Sequence, residues 1–498
     1  MTSARAVAMR ACTSALVLSG LPANAWAHAF DDRYDLPAPL SYFVAGATAA
    51  VGVSFVIAAL FMRRALAHDQ PRRSVRLGPV LPVLHAFARV LSVLLLGLTI
   101  AAGYFGTRDP VMNLAPTLVW IVWWVGLSFV AACVGNAWPA LDPWRAIFDA
   151  LDVVAKRLGR SKGIVLGWRY PRALAAWPAV ALLLFIGWFE VVYPEGAEPR
   201  RIATALLAWT AITLLGTACF GREAWQRNAD VFAIYFGTLG KFAPLAPGTD
   251  RRSLELRPPG RGLIEAHATT LGAVAFVIAM LATVLFDGLL SGEAWWAAQA
   301  RVMRAVPQLA DPRSALSGAI GLIVVWMLLF AAYASACRIA ARLTPGRSTW
   351  QLVRAFAYSL VPIAVGYTIA HNCSNLLVQG QHIIALVSDP LGRQWNLFGT
   401  AGYRTNIAIV DARTTWYVAI GAIVAGHAIS IWLAHRVALR ELGTRSKAAL
   451  ACIPLTLLML VYTAVSLSII AEPMEKFETP EQESVSSPDA ALSAPTRL

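Results

Sequence analysis

The chain has 498 residues, 58% of them hydrophobic and only 14% charged, a balance that excludes a disordered protein and an ordinary water-soluble domain. Its formal charge is +14, yet the basic residues gather in no single domain or tail, which argues against a nucleic acid partner. Apolar runs of about 20 residues recur along the chain, the length that crosses roughly 30 Å of hydrocarbon. The expected fold is therefore all-α, a polytopic membrane helical bundle.

In chain order, residues 1–27 carry Arg5 and Arg10, a short apolar run, and the triplet Ala25, Trp26, Ala27. That is the pattern of a cleaved signal peptide, with His28 as the mature N-terminus; cleavage after Ala29 satisfies the same small-residue rule. Residues 28–471 then form the bundle. Ten spans are expected, near residues 39–62, 79–103, 116–137, 173–192, 202–220, 266–290, 315–337, 355–378, 415–434 and 448–470. Five alternate linkers hold 27 of the 42 Lys and Arg residues and the segments on the other side hold 12. By the positive-inside rule the basic linkers are cytoplasmic and both mature termini lie outside. The simplest setting is a bacterial inner membrane, with residues 472–498, rich in Pro, Ser and Glu, as a disordered periplasmic tail.

Two basic linkers hold more than a connection. In "LDPWRAIFDAL", Asp142 suits a helix N-cap, Pro143 the first helical position, and Trp144, Ile147, Phe148 and Leu151 recur at helical spacing, as in an interfacial helix. In "NADVFAIYFGTLGKFAPLAP" the apolar run is too short to cross, so it is expected to lie along the inner surface or re-enter. Cys133, Cys219, Cys337, Cys373 and Cys452 are scattered without a CxxC pair, which suits apolar packing and neither a disulfide framework nor a cysteine-ligated zinc.

Ionisable groups at bilayer depth cost about 2.5–3.5 kcal/mol on insertion scales, so each needs a partner, an interface or a function. His85 and Arg89 share a helix face near the inner boundary, and His435 precedes a basic run that belongs to the inner interface. His427 sits in mid-span beside Gly426, either as an interhelical hydrogen-bond partner or as a buried ligand. Glu190 and Asp287 fall toward the outer ends of their spans, where Glu190 has an easy route to water. The densest polar stretch is "VGYTIAHNCSNLLVQGQHI", residues 365–383. On a wheel of about 100° per residue, His371, Asn375, Gln379 and His382 share an arc of about 80°. Such a stripe faces the bundle interior or a wet cavity, because lipid offers no hydrogen bonds.

About 16 Å of straight helix separates His371 from His382, so both reach one ion only if the helix breaks. Gly380 offers the break. The long loop that follows, "SDPLGRQWNLFGTAGYRTN", brings Asp389, Arg393, Trp395, Asn396, Tyr403 and Arg404 and has the length of a functional lid. The candidate catalytic residues are thus His371, His382, Asp287 and Asp389. The candidate metal ligands are His371, His382 and His28, for one divalent ion whose identity the sequence leaves open.

The segments "HAFDDRYDLPAPL", "YTIAHNCSNLLVQGQ" and "SDPLGRQWNLFGT", together with "GREAW" and "FGTLGKFAPL", resemble bacterial membrane-integral fenitrothion hydrolases. The resemblance implies hydrolysis of an aryl phosphotriester, a small apolar organophosphate, to a phenol and a dialkyl thiophosphate. The chain lacks the H-x-H pair of soluble metal-dependent phosphotriesterases, and it has no G-x-S-x-G nucleophile elbow. Two other classes compete: a transporter using the polar stripe as its path, and a copper or haem protein using His28, His371 and His382.

Intact-mass measurement of the purified protein should give a chain beginning at His28. A chain beginning at Phe30 removes His28 from the ligand set.

Overall fold

The protein is described by a computed structural model covering residues 38–62, 73–161, 163–248, 250, 252–307 and 315–475. The expected signal peptide, His28, and the tail from residue 476 onward lie outside the described residues.

Helices dominate. In order they are α1 (Leu40–Phe61), α2 (Val80–Phe105), α3 (Leu114–Cys133), α4 (Pro143–Arg157), α5 (Trp177–Val192), α6 (Pro199–Phe220), α7 (Arg222–Asn228) and α8 (Val231–Gly240). Then come α9 (Leu271–Leu290), α10 (Glu293–Ala305), α11 (Leu316–Leu343), α12 (Thr349–Gln379), α13 (His382–Ser388), α14 (Ala412–Leu442) and α15 (Arg445–Glu475). Among the described residues nine of these are long and apolar enough to cross a membrane, and α5 is a shorter apolar helix. This is a multi-pass membrane protein. Its last helix runs to Glu475, four residues into the stretch assigned to the tail.

Contacts sort the linkers into two ends. At the lower end a small antiparallel sheet, in the order β1-β3-β2, joins β1 (Arg73–Arg76), β2 (Leu245–Pro247) and β3 (Ser253–Leu256). There Arg445 Nε donates to Ala59 O at 2.8 Å, and Arg347 pairs with Glu441 at 3.4 Å. Asp149 of α4 draws in Arg222 at 2.6 Å and Arg89 of α2 at 3.8 Å. At the upper end Thr107 N donates to Leu391 O, Leu114 N to Pro390 O, and the Trp188 indole to Ala315 O.

Local sequence explains the starts of these helices. Asp142 accepts Arg145 N at 3.0 Å with Pro143 next in line, so α4 begins where the sequence indicated. Its Trp144 and Phe148 are buried while Leu151 is 47% exposed. Asp230 accepts Phe232 N and Ala233 N to start α8, the short apolar run. That helix is embedded rather than superficial: Phe232 lies 4.6 Å from the Trp123 ring, and Tyr235 stacks on Trp124 at 4.6 Å. Thr117–Gly126 in α3 and Trp188–Val192 in α5 are π-helical, and widened turns of this kind concentrate at functional sites.

The centre is α12, crossing α14 at a contact only glycine permits. A Cβ at Gly426 would stand 2.5 Å from Pro362 O, and the Cα atoms of Gly366 and Gly426 lie within 3.3 Å of each other's ideal Cβ positions. Small residues let membrane helices approach this closely. Gly366→Val should therefore cost about 1–3 kcal/mol through overpacking and lower the melting temperature in detergent. Gly421→Val, at a position with open space around it, should melt like the wild type.

Candidate functional site

Helix α12 changes character halfway along. From Val361 to Ala370 its residues are buried on every side except at Ile369, whereas from His371 to Gln379 nearly all are half-buried. The buried apolar half of the helix thus gives way, in the upper part of the bundle, to a half-buried polar half that begins at His371.

At that junction His371 Nε2 lies 2.8 Å from Asp287 Oδ2 of α9, with 12% and 24% of the two side chains exposed. Spacing alone put these residues at the same depth, and the fold makes them partners. An imidazole oriented by a carboxylate is an acid-base unit: the Nε2 proton directed at Asp287 fixes the tautomer in which Nδ1 is basic. Tyr367, one turn below on the same helix, sets its ring 6.2 Å from that of His371. Its hydroxyl fits against Gly288, where a Cβ would come within 2.7 Å of Tyr367 Oη.

Glu190 is part-buried. It is near enough to Asp287 for the two carboxylates to interact, and it faces the Trp124 indole. Beside it Tyr235 of α8 faces the hydroxyls of Ser128 and Thr368. Glu190 and Trp124 sit on the two π-helical segments, a register that residue spacing does not disclose. Tyr367 was detectable, four residues before His371 and hence on its face.

His382 and Asp389 belong to a different place. The helix breaks at Gly380 and Gln381 as expected, but α13 carries His382 outward, into a cavity of about 540 Å³ at the upper surface. Met112, Gln394, Trp395, Asn396 and Tyr403 help to line it. A volume of this size matches drug-sized ligands. The loop above is firmly tied. Gln381 Oε1 accepts from Tyr403 Oη at 2.9 Å and Asn406 N at 3.0 Å, and Ser388 Oγ accepts from Phe398 N and Thr400 N.

Asp389 lines this cavity, but its carboxylate is engaged in shaping the loop. Its oxygens accept from Arg393 N at 2.8 Å and Gln394 N at 2.7 Å, holding Gln394 at φ 63. A non-glycine residue in that left-handed region is strained and persists where its surroundings fix it. Arg393 reaches back to Phe105 O at 2.7 Å, so it too braces the loop.

The expected ligand set is accordingly divided. Among the described residues no three of His, Cys, Asp or Glu come together as a metal-holding group. His371 directs a nitrogen at Asp287, and His382 stands at the mouth with an Asp389 already committed to backbone amides. These pairs do not make a three-ligand cradle, and His28 lies outside the described residues. His427 is 1% exposed, with Nδ1 2.9 Å from Ile423 O.

Fold and site together define a polytopic helical membrane protein with a largely shielded Asp–His pair where its central helix turns polar. Compared with family models, curated proteins and solved structures, the chain matches none.

Burial holds the His382 imidazole below its ordinary value of 6.5. Its NMR titration midpoint should therefore fall below 6.5. Because the unfolded chain takes up this proton first, the stability His382 contributes as a neutral ring is lost as pH drops below the unfolded value, and His382→Gln should flatten that loss. A midpoint above 6.5 contradicts the buried, neutral ring at the mouth.

Proposed function

We propose that the chain is a membrane-embedded hydrolase of neutral aryl phosphotriesters such as fenitrothion, with His371 as general base and Asp287 as the carboxylate that orients it. The observation that carries the proposal is the 2.8 Å contact between His371 Nε2 and Asp287 Oδ2, largely shielded within the bundle. The likeness to fenitrothion hydrolases supplies the substrate class. The upper cavity of about 540 Å³, with its aromatic and amide lining, suits an uncharged aryl ester on its way in.

In the proposed step, His371 Nδ1 removes a proton from water while the water oxygen bonds to phosphorus. The bond from phosphorus to the aryl oxygen breaks, and the departing phenolate takes its proton from the imidazolium. Dialkyl thiophosphate and phenol leave along the half-buried polar half of α12. Asp287 stabilises the imidazolium formed midway, which in a site largely shielded from water is worth more than the same pair in solution. No part of this step is assigned to a metal.

The membrane placement is part of the proposal. Ten crossings, counting the short α5, would put both mature termini and the upper cavity on the periplasmic side of a bacterial inner membrane. The basic excess of the lower-end linkers supports this orientation.

A positioned base contributes typically about 10²–10⁴ in rate. His371→Ala should lose nitrophenol release by that factor, and Asp287→Asn should lose most of it, while both proteins elute from size exclusion as the wild type does. A correctly folded His371→Ala that hydrolyses at the wild-type rate overturns the assignment.

A further inference from the structure

Three arginines meet at the lower end with too few anions to answer them. Asp149 of α4 takes the Arg222 guanidinium at 2.6 Å and that of Arg89, on α2, at 3.8 Å. Arg145 stands one turn before Asp149 on the same helix, close enough for Arg222 and Arg89 to act on its charge. The other carboxylate within its electrostatic reach, Asp142, already accepts Arg145 N at 3.0 Å and Gln226 Nε2 at 3.0 Å. Three guanidinium charges thus share two carboxylates.

Arg145 bears the imbalance. Its side chain makes no hydrogen bond or ion pair among the described residues, and its Nε, like that of Arg89, is buried without a partner within the protein. Burial first, and then the charges of Arg222 and Arg89, pull its pKa below the ordinary arginine value, and the attraction of Asp149 and Asp142 does not restore it. The residue also occupies the first turn of α4, where the positive end of the helix dipole opposes a cation and attracts an anion. A half-buried cation so placed calls for a negative partner from outside the chain.

The neighbourhood of the cluster narrows that partner's chemistry. From Arg89 the helix α2 rises away from the lower end with Val90, Leu94 and Leu98 exposed at four-residue spacing. Such a stripe on a multi-pass membrane protein faces acyl chains. A phosphate offers acceptor oxygens that the forked guanidinium group matches, and basic pockets between membrane helices hold anionic headgroups in this way. The exposed His85, one turn below Arg89 and within electrostatic reach of Arg89 and Arg145, offers a ring nitrogen to the same headgroup. A zwitterionic headgroup would bring a further cation into a cluster that already has an excess.

We propose that Arg89, Arg145 and Arg222 form a binding site for the phosphate of an anionic phospholipid, whose acyl chains lie along the exposed stripe of α2. One lipid then ties α2, α4 and α7 together. The site does not depend on ester hydrolysis.

The test uses the full chain, delipidated in detergent, with its melting temperature followed as phosphatidylglycerol, phosphatidylcholine or inorganic phosphate is added. Phosphatidylglycerol should raise the melting temperature well beyond any effect of the other two. Arg145→Gln should weaken the phosphatidylglycerol response by about fivefold in concentration, while melting without lipid stays at or above the wild-type value, because in the protein alone this charge has no partner. Arg157→Gln makes the same charge change at the exposed far end of α4 and should respond to lipid as the wild type does. A phosphatidylcholine response equal to that of phosphatidylglycerol, or equal losses in the two variants, overturns the site. A full response to inorganic phosphate overturns the lipid assignment and makes this a site for a soluble phosphate. If Arg145→Gln does not fold, Arg89→Gln decides by the same comparison, since Arg222 still holds Asp149.

Discussion

Hydrocarbon gives a polar group nothing to bond to, and the organisation of this bundle follows from that constraint. Helix α12 carries the densest polar stretch of the chain, and it occupies the centre, where neighbours can answer it. It reaches the centre because Gly366 and Gly426 let α14 lie against it almost backbone to backbone. A larger residue at either position would push the helices apart and disturb the alignment that brings His371 to Asp287. The chemistry proposed for the upper half thus depends on packing in the lower half.

Much of the architecture was legible because its causes are local. Apolar length disclosed nine of the ten expected spans, Asp142 with Pro143 disclosed the start of α4, and the short run after Asp230 disclosed a helix unable to cross. The depth of Asp287 and His371 was also readable. Their pairing was not, since it depends on which helices become neighbours. The nearness of Glu190 to Asp287 was hidden for a related reason: near the end of a span, water and the bundle interior look alike until the rotation of the helix is known. Its π-helical turn shifts that rotation away from the regular 100° per residue.

The joint placement of His371 and His382 shows the limit of a helical wheel. Their shared arc predicted one polar face, yet the tight turn at Gly380 and Gln381 puts His382 into a separate chamber. Gly380 itself is required there, since a Cβ would collide with Leu376 O. Asp389 illustrates another limit. A carboxylate in a loop beside a histidine reads as chemistry in one dimension, and in three dimensions it accepts two backbone amides and shapes the rim.

That bracing affects the energetics of the upper chamber. Because Gln381, Ser388 and Asp389 already hold the loop in place, a guest pays little ordering entropy on arrival. Its calorimetric signature would be a negative heat-capacity change from burying apolar surface, without the large entropic penalty of coupled folding. A mouth of fixed shape also selects by steric fit, so discrimination among guests would come from their width and from the amide and hydroxyl groups they can meet at the rim.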